Sequence, residues 1–90
     1  MAETALRVTV HGRVQGVFYR DWTVQNARQL GLTGWVRNQA DGTVAALLQG
    51  DASAVRQMIE RMRDGPPAAR VDRIEEQAIE PEPLRGFARR

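Results

Sequence analysis

The chain has no cysteine, no lysine and only one histidine, His11, in 90 residues. The missing thiols exclude disulfides, iron–sulfur clusters, thiolate zinc sites and thiol nucleophiles. A single imidazole excludes a histidine-rich metal centre. No apolar run approaches the ~18–20 residues of a membrane span, and Met1-Ala2-Glu3-Thr4 lacks the basic-then-apolar order of a secretory leader. Aromatics are sparse, with two tryptophans, two phenylalanines and one tyrosine. What remains is ordinary globular usage, 42% hydrophobic, in a chain of single-domain length. These features lead us to expect a cytoplasmic, metal-free protein, a monomer that is bound neither to a membrane nor to nucleic acid.

All thirteen basic residues are arginines, against eleven acids, for a net charge of +2. The high pI thus reflects guanidinium chemistry rather than a large charge excess. The distribution is uneven. Thr4 through Arg20 contains Arg7, His11, Arg13 and Arg20 and no carboxylate, while Asp72, Glu75, Glu76, Glu80 and Glu82 gather later. An anionic ligand therefore fits the first quarter of the chain best.

Ala5 to His11 alternates apolar and polar residues with period two, the pattern of a half-buried strand. Gly12 to Phe18 reads as a loop. From about Tyr19 the spacing of Trp22, Ala27 and Leu30 becomes helical, and Gly31 fits a C-terminal cap. Thr33–Asn38 and Thr43–Gln49 read as strands of a hairpin closed by a turn containing Asp41-Gly42. Asp51 or Ser53 caps a second helix, with Val55, Met58, Ile59 and Met62 as its apolar stripe and Gly65-Pro66-Pro67 as its stop. Val71 to Ile79 is a fourth strand. Glu80-Pro81-Glu82-Pro83 is a stiff connector, and Leu84 to Arg89 can form a short closing strand. The order βαββαβ predicts an α+β, ferredoxin-like sandwich, an antiparallel sheet with two helices on one face.

The segment Gly12-Arg13-Val14-Gln15-Gly16-Val17-Phe18-Tyr19-Arg20 carries the most chemistry. It joins a strand to a helix, where backbone N–H groups lack partners within secondary structure. A curled run of such groups makes an anion-binding nest. Gly12 and Gly16 tolerate the positive φ that this requires, no proline removes a donor, and Arg20 adds a planar fork suited to two phosphate oxygens. Asp21 is its sequence neighbour, and adjacent helical residues do not face each other. Spacing alone also fits an ordinary surface loop, and it matches neither a Walker A loop nor a dinucleotide fingerprint. Asn38 likewise fits a plain turn former, although it leaves the strand on the same face as Val36. We expect Trp22, Trp35 and the methionine stripe to be core, and His11 to have no catalytic part.

Gly12 to Arg20 resembles the signature loop of the acylphosphatase family. Gly34-Trp35-Val36-Arg37-Asn38 followed by Asp41-Gly42-Thr43-Val44 resembles its second signature, with Leu30-Gly31-Leu32 and Gly65 to Val71 at matching places. The likeness runs from Leu6 to Phe87 and implies one acylphosphatase-like domain over residues 1–90, with its core at about 5–89. It implies metal-independent hydrolysis of a small acyl phosphate to a carboxylate and inorganic phosphate, with phosphate also an inhibitor and no cofactor. In that scheme Arg20 binds phosphate and Asn38 positions the attacking water. The backbone of Gln15, Gly16, Val17, Phe18 and Tyr19 forms the cradle. The chain departs from the family at Arg89, where an apolar residue is usual, which puts the packing of the last strand in question. Two readings from other classes stand beside it: a ferredoxin-like nucleic-acid-binding module, which needs exposed stacking aromatics on its sheet, and a non-catalytic interaction module.

Overall fold

A computed structural model describes residues 3–90. The elements are β1 (Glu3–Arg13), α1 (Tyr19–Gln29), β2 (Thr33–Asn38), β3 (Val44–Asp51), α2 (Ala52–Asp64), β4 (Arg70–Ala78) and β5 (Phe87–Arg89). They form one five-stranded sheet in the order β4-β1-β3-β2-β5. The first four strands pair antiparallel, as the alternating pattern requires. β5 differs: it runs parallel to β2, with Gly34 opposite Phe87 and Val36 opposite Arg89. The ferredoxin-like sandwich is thus present, with a mixed sheet because the closing strand adds at an edge in the parallel sense.

Period-two alternation sets which side of the sheet is dry. Leu6, Val8 and Val10 of β1, Val36 of β2 and Val44, Ala46 and Leu48 of β3 point to one face. Tyr19, Val24 and Ala27 of α1 and Val55, Met58, Ile59 and Met62 of α2 close over them in a single core. The expected α2 stripe is the buried one. Asp51 is its N-cap and accepts a hydrogen bond from the Ser53 amide at 3.2 Å. The opposite face holds a smaller cluster of Trp35, Ala45 and Leu47, packed under Ile79 and Leu84 of the connector. The Arg7, Arg37 and Arg90 guanidiniums lie 5.8, 4.9 and 5.1 Å from the Trp35 ring centre.

β1 extends further than its alternation suggests. A bulge between His11 and Gly12 keeps it paired with β4 out to Arg13. Gly12 is required there: its φ is +133°, and a Cβ would lie 2.1 Å from the Arg70 carbonyl oxygen. His11, beside the bulge, meets the Glu75 carboxylate and is spent on that contact. The departure at Arg89 does not disturb the last strand. Phe87 is buried in the main core, Arg28 donates to its carbonyl at 3.0 Å, and the Arg90 amide donates to the Val36 carbonyl at 2.8 Å.

Candidate active site

The loop between β1 and α1 is anchored by two apolar residues. Val14 and Val17 are buried in the main core, so the chain between them must arch outward. Gly16 sits on that arch with φ +72° and open space around its Cα. Phe18 also adopts a left-handed conformation, φ 69°, although it is bulky and its ring is 61% exposed. Such strain costs about 1–2 kcal/mol and persists only where the surroundings fix it. The N–H groups of Gln15, Gly16, Val17 and Phe18 donate to no acceptor among the described residues. The chain enters α1 immediately afterwards, with the Phe18 carbonyl accepting from Trp22 at 3.1 Å.

Two contacts fix this arch. The Tyr19 hydroxyl donates to the Met62 carbonyl at 2.7 Å, tying the start of α1 to the last turn of α2. Burial pushes the Tyr19 phenol above its ordinary range, so it stays a neutral donor. The Gln15 side chain turns away from the arch and donates to the carbonyls of Gln39 and Thr43, at 2.7 and 2.9 Å. It thereby pins the loop to the β2–β3 turn. That turn is self-contained. Asp41 accepts from the Thr43 amide and hydroxyl at 3.0 and 2.6 Å, and Gln39 donates to the Thr43 hydroxyl at 3.0 Å. The Thr43 hydroxyl, then its amide, holds the Asp41 carboxyl below the usual carboxylate range.

The pinning places Asn38, at the end of β2, beside the loop. A hollow of about 140 Å³ lies between them, lined by Gly16, Phe18, Tyr19, Arg20 and Asn38, with Val14 at its base and Asp21 and Arg89 at its edge. Arg20 and Asn38, eighteen positions apart in the chain, thus share one cavity. The Arg20 guanidinium donates to the Arg90 backbone oxygen at 3.3 Å, and the Asn38 amide has no hydrogen-bond partner among the described residues. Asp21 does not pair with Arg20; it meets Arg89 at 3.1 Å. Of the residues singled out in the sequence, the Gln15 and Val17 side chains do not reach the hollow. Thr23, one turn further on, is buried with an unpartnered hydroxyl and does not line it.

Sequence reasoning missed the Gln15 anchor, the Gln39–Asp41–Thr43 net and the placement of Arg89. Asp-Gly signalled the turn, but nothing local signalled what the Gln15 amide would reach. A wider groove of about 450 Å³ beside the bulge, walled by His11, Arg13, Asp41 and Arg73, is open and mixed in charge. No group of three metal-ligating side chains occurs among the described residues, and no helix is long and apolar enough to cross a membrane.

Comparison with known proteins converges on one group. The acylphosphatase family model matches residues 6–89. The chain is 51% identical over 86 residues to a protein of Acidiphilium cryptum named acylphosphatase, covering 96% of this chain and 94% of that one. It is 60% identical over 67 residues to the acylphosphatase of Rhodospirillum rubrum, 74% of each chain. Among solved structures, an acylphosphatase from Coxiella burnetii superposes with a TM-score of 0.94 at 38% identity, over 98% of this chain and 93% of that one. The arched loop, the arginine at its end and the asparagine across the hollow therefore sit in a chain that belongs to the acylphosphatase family.

Proposed function

We propose that this chain is a metal-independent acylphosphatase whose phosphate cradle is the Gln15–Tyr19 backbone with Arg20. The observation that carries this reading is the run of amides from Gln15 to Phe18 without partners among the described residues, beside one guanidinium and beside one carboxamide equally unpartnered among them. The phosphoryl group takes the amides and the Arg20 fork as donors. Asn38 is neutral and cannot act as a conventional base, but its carboxamide can hold a water in line with the scissile bond. The water oxygen bonds to phosphorus as the P–O bond to the acyl group breaks. The departing carboxylate keeps the electron pair, and the water proton passes to a phosphoryl oxygen and on to solvent. A carboxylate is a weak base, with a conjugate-acid pKa near ~4, so no general acid is needed. Negative charge on the equatorial oxygens is met by fixed donors, and the catalytic work is positioning and electrostatic stabilisation.

The unit that performs it is one domain, with its core at about residues 5–89, and we read it as a cytoplasmic monomer. Against the nucleic-acid reading, the one indole on the sheet's second face is only 8% exposed and flanked by arginines, so it offers no stacking platform.

The test is hydrolysis of benzoyl phosphate with chelator present. Wild-type protein turns it over. Arg20→Ala and Asn38→Ala each lower kcat by at least ~10²-fold, the scale for removing one transition-state donor. Both fold, because neither side chain is in the core. Inorganic phosphate inhibits competitively, and more weakly in Arg20→Ala. Full activity in either variant removes that residue from the mechanism, and no turnover by wild type rejects the reading.

A further inference from the structure

The hollow has a second guanidinium that the hydrolysis scheme does not use. Arg89 lines the same cavity as Arg20 and Asn38, but from β5 and at the edge, with its side chain 51% exposed. A phosphoryl group seated against the amides leaves the acyl part to pass among the other lining residues, of which Arg89 carries the second guanidinium. The Asp21 carboxylate, in the first turn of α1, meets it through one Nη1–Oδ1 contact at 3.1 Å. A guanidinium has five N–H donors in a rigid fork. One ion pair leaves the rest of that fork available, and Arg89 donates no hydrogen bond to any described residue.

We propose that Arg89 is a specificity residue that selects acyl phosphates bearing a second anionic group on the acyl part, and that Asp21 competes for the same fork. The proposal rests on the acylphosphatase reading. The phosphoryl end is read by the amides and Arg20. The far end is read by Arg89, which accepts a carboxylate or phosphate as a second, bidentate partner. Asp21 lowers the gain, because an incoming anion shares the guanidinium with a carboxylate already there.

The competition supplies the test. Benzoyl phosphate and 3-carboxybenzoyl phosphate differ by one carboxylate on a rigid ring, and the readout is the ratio of their kcat/KM values, carboxylated over plain. A common loss of activity cancels in that ratio. Arg89→Leu lowers the ratio about fivefold, the scale of a half-exposed charge pair. Asp21→Asn raises it, because the fork loses its resident anion. Arg89→Lys, which keeps the charge but not the fork, falls between wild type and Arg89→Leu. The opposite signs are the diagnostic part. A ratio that falls in both Arg89→Leu and Asp21→Asn means that the pair is only a structural latch and overturns the proposal, as does a ratio unchanged in both. Wild-type protein inert on both substrates overturns the acylphosphatase reading itself, and this inference with it. Activity on both with a constant ratio overturns only the role of Arg89. Thermal unfolding of each variant confirms that it is folded, and if Arg89→Leu fails to fold, the Asp21→Asn and Arg89→Lys ratios decide alone.

Discussion

The Val14–Phe18 loop and the Gln39–Thr43 turn lie side by side and solve opposite problems. The turn satisfies itself: its carboxylate, hydroxyl, carboxamide and amides bond to one another, and it presents two carbonyls outward. The loop leaves its amides without partners among the described residues and holds Phe18 in a strained conformation. Unpaired donors and backbone strain are expensive, and they survive here because the neighbouring turn and the buried Val14 and Val17 fix the loop from outside. Within one site, the rigid part and the receptive part are separate segments, joined by the Gln15 side chain.

That division can be broken at the joint. Gln15→Leu keeps the side-chain bulk and removes both bonds to the turn. We expect kcat/KM on benzoyl phosphate to fall about tenfold as the arch loosens. Stability should drop by about 1–3 kcal/mol as two part-buried carbonyls each lose one of their two donors, measured by urea unfolding. Unchanged activity would mean that the loop holds its shape unaided. Gly16→Ala probes the receptive side more gently. Nothing lies within 4 Å of the added methyl, so only the positive φ is penalised, at about 1 kcal/mol. In a domain of this size that lowers the melting temperature by about 4–8 °C. A smaller shift would show that the arch relaxes freely.

Asp41→Ala probes the rigid side and has the smallest effect. The native-state pKa of Asp41 is depressed, so its stabilising contribution is complete above the unfolded-state pKa and lost as the pH falls through the lower folded value. Melting temperatures of wild type and variant should differ at pH 7 and draw together only as the pH falls below about 4. A difference that persists in acid would assign the effect to the Asp41 backbone position rather than to its charge.

Much of the architecture was readable because it repeats. Alternation in Leu6, Val8 and Val10 and helical spacing in Val55, Met58, Ile59 and Met62 are local signals, and the structure buries those faces. β5 is too short to carry a period, and its parallel sense is decided by the free edge of β2. The end of β1 was misplaced because the bulge depends on Arg70, nearly sixty residues away. In the site, Arg20 and Asn38 stood out through the resemblance to the family's two signatures, and Gly16 through its backbone freedom. The Gln15 anchor and the Asp21–Arg89 pair were invisible: each joins segments whose proximity exists only once the hairpin and last strand have docked.

The parallel edge strand also has a kinetic side. Arg89 reaches the hollow on a three-residue strand, the segment farthest in sequence from the loop it serves, and the Arg90 oxygen that receives Arg20 follows directly after it. Contacts across so many residues form late in folding, and short edges detach at less free energy than global unfolding requires. The wall of the hollow is therefore expected to open more readily than the rest of the sheet. By mass action, an anion that engages Arg89 holds that edge shut, so occupancy should slow amide exchange in β5 as well as in the loop whose amides it takes.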